Sequence, residues 1–130
     1  MSKTKLPATY EAACKHLKRN PKVMPKVLGL TPSMRKFHIA NHKLATIAEA
    51  IQDILKFVPD YANDNQIKYF CRFTHNGKSG KKSAFVFANT HSYWTLTHAG
   101  VGSRFCFPDD ATATYFGKKF IKLHNDVLLK

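Results

Sequence analysis

The sequence predicts an α+β fold with N-terminal helices, a four-stranded antiparallel meander sheet and a C-terminal helix packed on the sheet. Three observations carry this. A single apolar stripe recurs at helical period between Phe37 and Ile54. Four short strand-like stretches follow one another between Ile67 and Phe107, with connections too short for crossover helices. A second helical stripe closes the chain from Phe116 to Val127. The 130 residues suit a single α+β domain spanning 1–130, long enough to bury a core without staples.

The first helix is expected from Thr9, a good capping residue, to about Arg19. Ala12, Ala13 and Leu17 form its apolar side, and Asn20-Pro21 ends it. A connector punctuated by Pro21, Pro25, Gly29 and Pro32 follows. Thr31 or Ser33 then caps the long helix, whose first turn suits Pro32. Its stripe is Phe37, Ala40, Leu44, Ile47, Ile51 and Ile54, at spacings of 3, 4, 3, 4 and 3. The stripe covers fewer than three heptads, so packing within the domain is expected rather than a coiled coil. Pro59 and the polar run Asp60–Gln66 end the helix.

In the β region Ile67, Tyr69, Cys71 and Phe73 alternate with Lys68, Phe70, Arg72 and Thr74, giving one core face and one wetter face. The stretch His75–Lys82 holds Gly77 and Gly80 and reads as a hairpin turn, with Ser83–Ala88 as the returning strand. Ser92–Thr97 and Ser103–Phe107 are the third and fourth expected strands, with Gly100-Val101-Gly102 turning between them. Asp109 or Asp110 caps the last helix, which buries Phe116, Phe120, Leu123 and Val127.

The charge is strongly positive, +13, and uneven. Residues 1–43 hold ten Lys/Arg against one acid, Glu11, and residues 67–107 hold six Lys/Arg and no acid. Such asymmetry points to a polyanionic partner. No apolar run is long enough to span a membrane, and Met1–Pro7 lacks the apolar core of a signal peptide. Three widely spaced cysteines, Cys14, Cys71 and Cys106, argue for a reducing compartment rather than a disulfide framework.

Catalytic patterns are weak. Gly77-Lys78-Ser79 resembles the end of a phosphate loop, but Arg72 stands where the first glycine of that motif belongs, and strand follows strand. Cys71, His75, His91, His98 and Cys106 would have to converge by folding to hold a metal, since no Cys-x-x-Cys pair exists. With only eight acids, paired carboxylates for acid–base work are scarce. No catalytic residue, metal or cofactor is expected, and the chain reads as a binding protein.

The candidate interface is basic and aromatic. Lys68, Phe70 and Arg72 share one strand face, and Lys78, Lys81 and Lys82 sit at the hairpin tip. Cations alternating with a ring suit nucleic acid, because phosphates take charge and bases stack. The plainer alternative makes Phe70 part of the core and the lysines solubilisers of an edge strand. Arg104, beside the Gly-Val-Gly turn, joins the interface or bonds turn carbonyls instead. Lys15, Lys18, Arg19, Lys22 and Lys26 form the next candidate cluster. RNA or single strands fit better than duplex DNA, since no helix with a basic recognition face stands out.

Several stretches also resemble a group of small phage and prophage proteins of Bacteroidetes: Thr9–Cys14, Asn41–Ile51, Asn65–Phe70, the run Gly100-Val101-Gly102-Ser103-Arg104-Phe105-Cys106-Phe107, and Tyr115–Phe120. The resemblance covers most of the chain in order, and it carries no catalytic or binding residues over. It implies a bacterial host cytoplasm and an accessory role, including an inhibitor docking on a defence nuclease with its guide RNA, as anti-CRISPR proteins do. The stronger basicity and the Lys-rich hairpin depart from that group. The expected product is a monomeric, cytoplasmic protein that binds nucleic acid or a ribonucleoprotein.

Overall fold

The computed structural model describes residues 5–63, 65–93 and 102–130, the Tyr93 side chain apart. Helix α1 spans Tyr10–His16, and Thr9 Oγ1 caps it by accepting from the Ala12 N–H at 3.0 Å. It buries Tyr10, Ala13 and Cys14. It stops short of Arg19 because Lys18 turns to the left-handed region at φ 58. The Arg19 N–H then closes onto the Cys14 carbonyl at 2.8 Å and the Lys18 N–H onto Lys15 at 3.2 Å, a Schellman ending.

Helix α2, Pro32–Ile54, starts where Thr31 Oγ1 accepts from the Met34 N–H. Ala40, Leu44, Ile47 and Ile51 are buried, with Phe37 and Ile54 half-buried at the ends of the stripe. The stripe is satisfied inside the chain: α2 packs on α1 and on the last helix. Lys56, at φ 53, repeats the left-handed ending, with Phe57 N–H on the Gln52 carbonyl at 2.9 Å.

Strands β1, Lys68–His75, and β2, Phe85–Tyr93, pair antiparallel from Lys68↔Tyr93 to His75↔Phe85. A bulge between Arg72 and Phe73 shifts the register. The expected hairpin is present, with a longer returning strand than Ser83–Ala88.

The four-stranded meander is not. Among the described residues the sheet has two strands. Ser92 and Tyr93 are the end of β2, and 94–97 of the expected third strand lie outside the described residues. The expected fourth strand, Ser103–Phe107, is instead a short 3-10 turn over Ser103–Phe105. Its carbonyls are taken from the side: Gln52 Nε2 of α2 donates to both Ser103 and Cys106 carbonyls at 2.8 Å. Phe107 alone reaches the sheet, in an isolated bridge to Tyr69 with bonds of 2.9 and 2.8 Å.

The single expected C-terminal helix is two. Helix α3, Asp110–Lys119, is capped by Asp109 Oδ1 accepting from the Thr112 N–H at 2.7 Å. Phe120, at φ −109 and ψ 30, breaks the run, and α4 continues over Ile121–Leu128. Gly117 lets α3 close on the sheet, since a Cβ there would meet Phe87 at 2.6 Å and Cys71 Sγ at 2.9 Å. Asn125 of α4 ties the free edge of β2, accepting from the Phe85 N–H at 2.7 Å and donating to its carbonyl at 2.9 Å. The core runs between α1, α2 and the α3–α4 pair around Cys14, Ile47, Ile51, Phe107 and Phe116.

Candidate nucleic-acid interface

The expected cations divide into three groups. Lys78, Lys81 and Lys82 are all exposed at the hairpin tip. Arg72 is exposed on the outer sheet face behind them, and no carboxylate lies within ion-pair distance of these four among the described residues. Phe70, on the same face, is half-buried and stands edge-on to the His91 ring at a centroid distance of 5.6 Å.

Lys68 is elsewhere. Its side chain is fully buried, which corrects the reading that placed it on a wet face with Phe70 and Arg72. The loop before β1 folds over it. Its Nζ donates to the Gln66 carbonyl at 2.8 Å and the Asn63 carbonyl at 3.5 Å, and lies 5.1 Å from the Tyr61 ring centre. A buried ammonium held this way is part of the fold.

Arg104 is exposed but leans toward α2, where its charge helps lower the Glu49 carboxyl. The larger cause of that lowering is the two-point hydrogen bond from Arg19, at 2.7 Å on each oxygen. Arg19 therefore serves the α1–α2 contact, as does His16 against Asp53 at 2.7 Å. Lys15, Lys18, Lys22 and Lys26 stay exposed.

Side chains hold the tip itself. The Asn76 amide donates to the Lys82 carbonyl at 2.7 Å, and its oxygen accepts from the Lys78 and Ala84 N–H groups at 3.0 and 3.3 Å. His75 Nδ1 accepts from the Gly77 N–H at 3.0 Å, which leaves Nε2 to donate to Ser83 Oγ at 2.7 Å. Gly77 and Gly80 take φ of 75 and 67. The lysines thus sit on a pre-formed loop. Sequence reasoning placed them but missed Asn76 and His75. The Asn-Gly pair was the available signal.

The bulge also decides what joins the outer face. His91 pairs with Phe70, Asn89 with Arg72 and Val86 with Thr74. A one-residue slip exchanges the two faces of a strand, so alternation in the sequence alone could not assign β2.

Groups with chemical potential are muted. Burial pushes the Cys71 thiol up to about 12 and raises that of Cys106, so neither is a thiolate near neutrality. Burial also lowers His124 to about 4, keeping the ring neutral. Among the described residues, no three His, Cys, Asp or Glu side chains gather closely enough to hold a metal ion. His98 lies outside the described residues. No described helix is long and apolar enough to cross a membrane. No known family, curated protein or solved structure matches the chain.

Proposed function

We propose that the protein is a non-enzymatic nucleic-acid-binding domain that takes RNA or a single strand on its basic hairpin. One observation carries the reading. Three exposed lysines are fixed on a loop that bonds to itself, with Arg72 and the Phe70 ring on the strand leading to it, in a stretch without a single acid. Pre-ordered cations lose less freedom on binding than mobile ones. Phosphates meet the tip, and a base stacks near Phe70 and His91. Lys68 and Arg104 are outside this surface. A phage accessory role in a bacterial cytoplasm belongs to the same proposal and rests on the sequence resemblance.

Filter binding of a labelled single-stranded RNA across a salt series tests it. Wild type should bind submicromolar at low salt, with affinity falling steeply as salt rises. Changing Lys78, Lys81 and Lys82 together to Ala should weaken binding and reduce the slope of log affinity against log salt by up to about three. Phe70→Ala should cost on the order of 1–3 kcal/mol of binding without changing that slope. Binding and slope unchanged in the folded triple variant would remove the hairpin from the site. Capture of one host protein complex that survives RNase would replace RNA binding with the inhibitor reading.

A further inference from the structure

A cavity of about 340 Å³ lies between α2, α4 and the inner face of the sheet, apart from the basic hairpin. It has room for roughly ten waters at liquid density. Its walls are mainly apolar: Leu44 from α2, Phe73 from β1, Phe105 from the 3-10 turn and Phe116 from α3. The pocket is half open to the surface, and water inside it would find few partners on these walls. Leu128, 44% exposed, is at its rim.

The polar groups in the wall are few and uncharged. No Lys, Arg, Asp or Glu lines the cavity among the described residues. The Cys71 thiol donates to the Ala113 carbonyl at 2.8 Å and is spent. His124 Nε2 lies 3.2 Å from the Phe116 carbonyl, which can only accept, so the proton is on Nε2 and Nδ1 is an acceptor without a partner among the described residues. Asn41 lines the same space, half-buried, and makes no hydrogen bond to another described residue. The wall therefore offers aromatic surfaces together with acceptors held by His124 and Asn41.

We propose that this cavity binds a neutral, planar aromatic molecule carrying one hydrogen-bond donor, a phenol-like compound of one or two rings. Rings pack against Phe73, Phe105 and Phe116, and the donor reaches His124 Nδ1 or the Asn41 oxygen. Charge is selected against, because no countercharge lines the wall. The lowered pKa of His124 agrees, since it keeps the acceptor unprotonated at neutral pH. The inference is independent of the hairpin and of nucleic-acid binding.

Calorimetric titration of the full chain with phenol and with toluene, matched in size but lacking the donor, tests it. Phenol should bind with a dissociation constant on the order of millimolar or below. Toluene should bind at least roughly tenfold more weakly, since the acceptors then lose water without replacement. His124→Phe keeps an aromatic wall and removes one acceptor, so it should narrow that gap. Val127→Phe fills the cavity from half-buried α4 and should abolish binding of both probes while the far-UV spectrum persists. Absence of binding by either probe overturns the proposal. So does equal affinity for both, which would leave only a greasy cleft, or phenol binding unchanged in folded Val127→Phe, which would place the probe elsewhere.

Discussion

Lys68 and Arg72 stand four residues apart on one strand and meet opposite environments. Arg72 faces water, while Lys68 is sealed under the loop that carries Tyr61, Asn63 and Gln66. Lys68→Met should therefore destabilise the fold by on the order of 1–3 kcal/mol, since two carbonyls lose their donor in a dry place. It should leave nucleic-acid affinity of the folded fraction unchanged, which melting curves paired with filter binding would check. Alternation grouped Lys68 with Phe70 and Arg72 but could not show a loop returning to cover it. That covering depends on chain path, which a period-two pattern does not contain. His124 carries a second residue-scale consequence. Its folded pKa of about 4 lies below the ordinary 6.5, so its contribution is complete above pH 6.5 and is lost as pH falls toward 4. The loss amounts to about 3 kcal/mol. Urea melts of wild type and His124→Gln between pH 7 and 4 should diverge in this sense, the variant losing less stability.

Two helices end on lysines in the left-handed region, Lys18 and Lys56, where glycine is the usual occupant. Lys56→Gly should raise stability by about 0.5–1 kcal/mol, because a side chain there strains the backbone. Gly117 predicts the opposite sign. Gly117→Ala improves helix propensity, yet its methyl would strike Phe87 and Cys71, so the net effect should be a loss of about 1–3 kcal/mol. Thermal melts of the two variants should move in opposite directions. The helices were legible because caps and a 3.6-residue stripe are local signals: Thr9 caps as read, and Thr31 and Asp109 decide the two caps that the sequence left between neighbours. The break at Phe120 was not, as no proline or turn residue marks it. The misread fourth strand has a non-local cause. Ser103–Phe107 has strand-like composition, but Gln52, about fifty residues away, binds its carbonyls, and among the described residues of the segment only Phe107 forms a backbone bridge to β1. Tertiary context decides such short apolar stretches.

Across the molecule, three described ion pairs use acids of the helical layer: His16–Asp53, Arg19–Glu49 and Lys36–Asp126. All are partly or largely exposed and individually worth at most about 1 kcal/mol. Their effect is on charge distribution. The helical side neutralises part of its own charge while the hairpin keeps all of its cations, a separation visible in the sequence as the acid-free run 67–107. With a net charge of +13, the unliganded protein repels itself. Raising salt from about 20 to 300 mM should therefore lift its melting temperature by roughly 2–5 °C. The Lys78/Lys81/Lys82→Ala protein should show a smaller rise. A fall in melting temperature with salt would mean that attractive pairs outweigh the repulsion. The candidate interface was legible as a set of residue types in one stretch. Its boundaries were not, because the bulge at Arg72 and Phe73 and the loop over Lys68 are properties of the folded chain.

The hairpin tip has a consequence for chemical ageing. Asn76 precedes Gly77, a pair that in flexible peptides deamidates readily as the glycine nitrogen attacks the side-chain carbonyl. Here that carbonyl oxygen accepts two N–H groups, the amide nitrogen is bonded to Lys82, and the Gly77 N–H is engaged by His75. Attack requires all of these to release together, so the folded protein should hold Asn76 intact far longer than the unfolded chain. Once the conversion occurs, it is doubly damaging. It sets a carboxylate among three lysines, and it removes the amide donor that closes the loop. Peptide mapping of aged native and denatured samples would show the difference, with the native hairpin keeping both its charge and its shape.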